Sequence, residues 1–165
     1  MALPFSGPPE TILLVEDNST LLKLVRQILE DANFTVIAAS SAKQAIRLEA
    51  AFPGTIDLLL GDLRMGGISG PTLAKELKER RPQMRVMLMS GYPDGALLIL
   101  NYGWHYLEKL SVASALVGKI HDVLRGETRE QSTDRFDTLK EPRRSFGRVS
   151  LDFGSSAFWR ARRRA

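Results

Sequence analysis

The chain has 165 residues, of which 44% are hydrophobic and 25% are charged, proportions that are ordinary for a globular protein. It contains no cysteine, which excludes a disulfide framework and a thiolate metal site, and no apolar run approaches the 18 residues of a membrane span. Residues 1–125 contain 13 basic and 13 acidic residues, so the net charge of +4 belongs to residues 126–165. We expect a cytoplasmic protein with a neutral folded part and no membrane segment.

The first half of the chain alternates between apolar runs and amphipathic patterns. Residues 1–10 are rich in proline and glycine and are expected to be a flexible leader. Strands are predicted at residues 11–15 and 34–39. Asn18 or Ser19 begins a first helix, and Ser41 begins a second helix that Pro53 ends. A third apolar run at residues 56–60 is typical of a strand buried on both faces.

The second half continues this alternation. Helices are predicted at residues 71–80, 94–100 and 112–123, and strands at residues 85–89 and around residues 106–107. Five such units indicate right-handed crossovers and a parallel sheet covered on both faces, hence a doubly wound α/β domain over residues 11–125. Residues 126–165 are basic and lack apolar periodicity, so we expect this tail to be disordered.

Polar residues follow four of the five predicted strands, where a parallel sheet would bring them to one edge. They are Glu16, Asp17, Asp62, Ser90 and Lys109. Carboxylates held close together repel one another unless a cation neutralises them, and a set of oxygen ligands suits Mg²⁺. An aspartate beside a divalent cation is a suitable nucleophile for phosphoryl transfer.

Four motifs at these strand ends resemble those of two-component response-regulator receiver domains. They are VEDN (15–18), DLLLGDLRM (57–65), MSGY (89–92) and YLEK (106–109). The MSGY form is similar to receivers attached to hybrid histidine kinases. The resemblance covers about residues 10–125, and it implies the flavodoxin-like (βα)5 fold with strand order 2-1-3-4-5.

The resemblance also implies a role for each site residue. Asp62 would accept a phosphoryl group from a phosphohistidine of a sensor histidine kinase or phosphotransfer protein. Mg²⁺ would be held by Asp17, Asp62, the backbone carbonyl of Arg64 and, through a water, Glu16. Ser90 and Lys109 would contact the phosphoryl group. Ser90 and Tyr106 would act as switch residues, altering a protein-interaction surface built from the fourth strand, fourth helix and fifth strand.

Two positions depart from the family pattern. Gly66 stands where the family usually has a proline after the methionine, and Leu110 stands where it usually has a proline after the lysine. A cis peptide bond before proline costs only about 0.5–1 kcal/mol, whereas before leucine it would cost about 2.5–4 kcal/mol. We therefore expect a trans bond between Lys109 and Leu110, and a lysine that is less firmly placed over the site.

Three other functions compete with the receiver interpretation. A haloacid-dehalogenase-type phosphatase would also use a strand-end aspartate, but it needs a second aspartate two positions on, where this chain has Arg64. A pseudo-receiver would bind a protein partner without being phosphorylated. The FWRARRR segment (158–164) mixes aromatic and basic residues, so the tail is a candidate for nucleic-acid binding. We favour a signalling receiver, which catalyses only its own phosphorylation and dephosphorylation, over an enzyme.

Overall fold

The computed structural model describes residues 8–91 and 102–126, which form a parallel sheet with helices on both of its faces. The strands are β1 (Thr11–Val15), β2 (Thr35–Ala39), β3 (Leu58–Asp62), β4 (Arg85–Ser90) and β5 (His105–Glu108). The helices are α1 (Ser19–Asp31), α2 (Ala42–Ala51), α3 (Gly70–Arg80) and α4 (Val112–Arg125). Most of the predicted leader, the helix predicted at residues 94–100 and the predicted tail lie outside the described residues.

The five strands are parallel and follow the order β2-β1-β3-β4-β5, as expected for a doubly wound sheet. The order reverses its direction between β1 and β3, which lie side by side in the middle of the sheet. In sheets of this kind, the crevice beyond the carboxyl ends of the strands at such a reversal is where ligands bind. The predicted fold class and strand order are both confirmed.

Strand β3 begins and ends two residues later than the apolar run indicated, so the prediction of residues 56–60 was wrong. The strand is central and pairs with β1 on one side and β4 on the other, and this pairing continues beyond the apolar residues. Gly61 lies opposite Val15 of β1 and Leu88 of β4, and Asp62 lies opposite Met89. Asp62 is therefore the last residue of a central strand rather than part of the following loop.

Alternate residues of the central strands pack on opposite faces of the sheet. Leu13 and Leu59 belong to a hydrophobic cluster with residues of α2 and α3. Leu14 and Leu60 belong to a second cluster with residues of α1 and α4. This arrangement explains why both β1 and β3 are continuous apolar runs, since a strand covered on both faces buries every side chain. The strand ends are thereby fixed relative to one another by two packed layers.

Helices α1 and α2 begin at the residues that their capping chemistry predicts. The Asn18 side chain accepts hydrogen bonds from the backbone N–H groups of Thr20 and Leu21, and Ser41 caps α2 in the same way. Helix α4 is followed by the capping residue Gly126, whose φ of 75° is the left-handed conformation that glycine adopts readily. Within the described ranges, no helix combines the length and apolar character needed to cross a membrane.

Candidate functional site

The carboxyl ends of β1 and β3 bring three carboxylates together. Glu16 follows β1 and is completely buried, Asp17 is exposed at the mouth of the site, and Asp62 is only 5% exposed. Each residue offers a carboxylate oxygen, and these oxygens all lie within 4.8 Å of one another. The three acids predicted from the sequence to share a site therefore do so.

Lys109 joins this cluster from the end of β5. Its Nζ atom lies 2.8 Å from Oδ2 of Asp62, and 3.1 Å and 2.9 Å from Oε1 and Oε2 of Glu16. The ammonium group thus contacts two of the three carboxylates and offsets part of their mutual repulsion. One lysine links the fifth strand to the ends of the first and third strands.

The Lys109–Leu110 peptide bond is trans, as expected, since the described residues contain no cis peptide bond. The trans bond still lets Nζ of Lys109 reach Asp62 at hydrogen-bond distance, and the expectation that the lysine is less firmly placed stays a prediction. Residues Lys109–Ser111 form a single 3-10 turn, and the long, flexible side chain of lysine extends from this turn into the site. Leu110 itself points outward and is 92% exposed.

Burial and charge shift two pKa values in the cluster. Burial raises the pKa of Glu16, and the negative charge of Asp62 adds to this effect, while hydrogen bonds from Lys109 and the Asn18 backbone oppose it. For Lys109, burial alone would lower the pKa. Its hydrogen bonds to Asp62 and Glu16 outweigh that effect and raise the pKa above the ordinary value. Lys109 therefore remains a cation across the physiological pH range.

Backbone N–H groups orient each of the three carboxylates. The Asn18 N–H donates to Oε1 of Glu16 at 3.2 Å, and the Arg64 N–H donates to Oδ1 of Asp62 at 3.2 Å. The Gly66 N–H donates to Oδ2 of Asp17 at 3.3 Å. The sequence indicates only a capping role for Asn18 and only a departure from the family pattern for Gly66. The two-residue spacing of Glu16 and Asn18 was the signal for the first contact, whereas nothing in the sequence indicated the contact between Gly66 and Asp17.

The two remaining predicted residues lie on the strands beside the cluster. Ser90 is the last residue of β4 and is 2% exposed, and Tyr106 lies within β5 and is 9% exposed. Backbone pairing of Asp62 with Met89 places Ser90 one residue beyond the partner of Asp62. The fold therefore places Ser90 beside the strand that carries Asp62, and Tyr106 on the next strand along.

The donor set fits Mg²⁺, since the candidate ligands are carboxylate oxygens and a hard cation with oxygen preference is bound by such groups. Nitrogen and sulfur ligands, which softer metals favour, are absent from this cluster of described residues. The arrangement of a buried acid pair, an exposed acid and a lysine can bind a divalent cation and a phosphoryl group side by side.

Comparison with known proteins agrees with this chemistry. Residues 12–120 match the family described as the response regulator receiver domain. The chain is 31% identical over 86 residues to the sensor kinase CckA of Brucella abortus, covering 52% of this chain and 9% of that protein. It is 28% identical over 136 residues to the hydrogenase transcriptional regulatory protein HoxA of Cupriavidus necator, covering 80% of this chain and 28% of that protein.

A solved structure of the receiver domain from the hybrid histidine kinase CckA is also similar. It is 30% identical to this chain, with a TM-score of 0.60, and the match covers 69% of this chain and 98% of that one. The chain thus corresponds to a small part of the curated relatives but to nearly the whole of an isolated receiver structure. With two thirds of its residues matched by the family pattern, the chain belongs to the response regulator receiver domain family of two-component signalling.

Proposed function

We propose that Asp62 is the phosphoacceptor of this receiver domain and that a phosphohistidine is the donor. The observation that carries this proposal is the position of the Asp62 carboxylate, which contacts Lys109 at 2.8 Å and lies beside the oxygens of Glu16 and Asp17. Among the three acids, Asp62 combines a place at the end of a central strand with a direct cationic contact. A phosphoryl group added there would replace a carboxylate oxygen as the partner of the lysine.

The bonds formed and broken in the transfer lie between Asp62 and the phosphohistidine donor. A carboxylate oxygen of Asp62 attacks the phosphorus, a new P–O bond forms, and the bond from phosphorus to the imidazole nitrogen of the donor breaks. The electron pair of that bond stays on the imidazole, which leaves as a neutral ring because its second nitrogen carries a proton. Lys109 would pair with one phosphoryl oxygen, and the Ser90 hydroxyl would donate a hydrogen bond to another. Neither residue has to give up a proton.

Asp17, Asp62 and the Arg64 carbonyl would hold Mg²⁺, with Glu16 acting through a bound water. When bound, the cation would reduce the repulsion between the attacking carboxylate and the phosphoryl oxygens. The position of Arg64 supports this set, since its backbone N–H already contacts Oδ1 of Asp62. The role of Glu16 is supported by its burial between Lys109 and Asp62, which leaves it close to the cluster but away from the mouth.

We further propose that Ser90 and Tyr106 transmit the phosphorylation to a protein-interaction surface. Both are buried, Ser90 on β4 beside the strand of Asp62 and Tyr106 on β5 beyond it, so a shift of Ser90 toward the phosphoryl group would leave space along β5. Phosphorylation-dependent switching is typical of the family. The donor would be a sensor histidine kinase or phosphotransfer protein, and the cytoplasmic location remains a prediction.

The test is intact mass spectrometry after incubation with acetyl phosphate and MgCl₂. Wild type should gain one phosphoryl group, and the gain should disappear in Asp62→Asn, which keeps the shape of the side chain but cannot form an acyl phosphate. Asp31→Asn, an exposed change at the end of α1, is the matched control and should gain the group. Chelation of Mg²⁺ should abolish the gain. No gain in wild type would favour a pseudo-receiver instead.

A further inference from the structure

We infer that the backbone N–H of Gly66 positions the Asp17 carboxylate for Mg²⁺, so that Gly66 is a positioning residue of the proposed metal site. The inference rests on the proposed function, because it takes Asp17 to be a metal ligand. The Gly66 N–H donates to Oδ2 of Asp17 at 3.3 Å and joins two loops that are 49 residues apart in the chain.

Asp17 differs from the other two acids in how it is held. Glu16 and Asp62 both contact Lys109, and both accept a hydrogen bond from a backbone N–H two residues further on. Asp17 is exposed, and within the described residues the contact from Gly66 is the hydrogen bond that its carboxylate accepts. The orientation of this ligand therefore depends on the loop after β3 rather than on its own segment.

The donor is available because of the residue type at this position. Every residue except proline has a backbone N–H, and Gly66 stands where the sequence resemblance leads one to expect a proline. The departure therefore supplies a hydrogen bond that the usual residue is unable to make. The hydrogen bond is made to Oδ2 of Asp17. The other carboxylate oxygen, Oδ1, accepts no hydrogen bond from Gly66 and is therefore available to a cation.

Hydrogen bonds that orient metal ligands typically change metal affinity by about 10–100-fold when removed. The contact here is long and solvent-exposed, so an effect near the lower limit, about 10-fold, is expected. Because the contact spans the loops after β1 and β3, binding of Mg²⁺ by Asp17 should also restrict the loop that contains Gly66. The metal affinity and the order of this loop are thus coupled.

Two substitutions separate the hydrogen bond from the rest of the residue. Gly66→Pro removes the N–H. Gly66→Ala keeps the N–H, and no neighbouring atom lies within 4 Å of the added Cβ, so it is the matched control for the loss of glycine. The full chain in each form is titrated with MgCl₂ by isothermal titration calorimetry, without a phosphodonor. Thermal unfolding without Mg²⁺ is recorded alongside, to detect any general loss of structure.

We expect the Mg²⁺ dissociation constant to rise about 10-fold in Gly66→Pro and to stay within about twofold of wild type in Gly66→Ala. Equal dissociation constants for the two variants would overturn the inference while leaving the proposed function intact. If wild type binds no Mg²⁺, both fail. Should Gly66→Pro not fold, exchange of the Gly66 amide proton decides: exchange several-fold faster in Asp17→Ala than in wild type supports the contact, and equal exchange rates overturn it.

Discussion

Lys109 is the residue on which the electrostatics of the site depend. Its ammonium group contacts Glu16 and Asp62 together, and these contacts raise its pKa despite its partial burial. A lysine shared in this way offsets the repulsion between two acids that are buried near each other. The same sharing leaves Asp17, the exposed acid, as the part of the cluster most open to an incoming cation.

Arg64 is expected to influence the lifetime of the phosphorylated state. It lies two residues beyond Asp62, its side chain is exposed, and we expect that side chain to lie near the mouth of the site. A long cation there can hinder or orient the water that attacks the acyl phosphate. We predict that Arg64→Ala changes the dephosphorylation rate at least a few-fold, measured by intact mass at intervals after removal of the phosphodonor. Arg26→Ala, on the exposed face of α1, should leave the lifetime as in wild type.

Gly70 is expected to tolerate no side chain. A Cβ atom at this position would overlap the carbonyl oxygen of Asp62 and lie 3.2 Å from Cα of Leu63, both of which are backbone atoms. Helix α3 would have to move away from the end of β3. We predict that Gly70→Ala lowers the free energy of unfolding by about 1–3 kcal/mol, measured by urea denaturation.

Gly118→Ala is the control for this substitution. Gly118 lies on an exposed part of α4 with no neighbouring atom near the added Cβ, so alanine there should be neutral or should stabilise by up to about 1 kcal/mol. Similar losses of stability in the two variants would contradict the role of close packing at Gly70.

His105 is expected to make stability depend on pH. Burial lowers its pKa, and the positive charges of Lys119 and Arg85 lower it further. The unfolded chain, with a histidine pKa of about 6.5, then binds more protons than the folded chain just below that pH. The free energy of unfolding is therefore unaffected by His105 above about pH 6.5, and it declines as the pH falls below that value. His105→Gln should flatten this decline in urea denaturation curves, and an unchanged slope would count against it.

At the scale of elements, α2 and α3 are joined at their C-terminal ends by a buried acid. Glu49 is 3% exposed and pairs with Arg81 at 2.7 Å and with Arg80 at 3.0 Å. Arg81 also donates to the carbonyl oxygens of Gly54 and Phe52, which follow α2. This network fixes the end of the molecule opposite the site.

Removal of Glu49 should therefore destabilise the domain without affecting its chemistry. We predict that Glu49→Ala lowers the free energy of unfolding by about 1–3 kcal/mol, less than a fully buried pair would cost, because both arginines are partly exposed. Glu30→Ala removes an exposed pair with Arg26 and should cost less than about 0.5 kcal/mol. Phosphorylation by acetyl phosphate should remain in both variants, and its loss in Glu49→Ala alone would contradict a purely structural role.

Apolar patterns predicted the elements well because strands covered on both faces require continuous apolar runs. Strand β1 was located to the residue, whereas β3 was misplaced because backbone pairing with two neighbours extends it through Gly61 and Asp62. Pairing between strands is not visible in local patterns, so the strand order came from the family resemblance. The contact from Gly66 to Asp17 joins two loops far apart in the chain, and no local pattern encodes it.

At the scale of the whole molecule, the net charge of +4 lies beyond the described fold, in residues 126–165. Helix α4 ends at Arg125 and is capped by Gly126. We predict that a chain ending at residue 126 keeps the melting temperature and the Mg²⁺-dependent phosphorylation of the full chain. A lower melting temperature would mean that the tail contributes to the fold.

The same truncation tests whether the tail binds nucleic acid. If the full chain binds nucleic acid through its aromatic and basic segment, the affinity should fall steeply with salt concentration and binding should disappear on truncation. Measurement by fluorescence anisotropy with a labelled oligonucleotide at two salt concentrations is sufficient. Binding by the shortened chain would refute a role for the tail.

The contact between Lys109 and Glu16 joins residues that are 93 positions apart, and so it has a consequence for biosynthesis. We expect such a contact to form late in folding, because it requires closure of a long stretch of chain. A ribosome-bound chain that has released β1 and β3 but not β5 carries all three carboxylates without their lysine. If Asp62 is the phosphoacceptor, as proposed, a nascent chain would therefore lack the complete site until the last strand has been made.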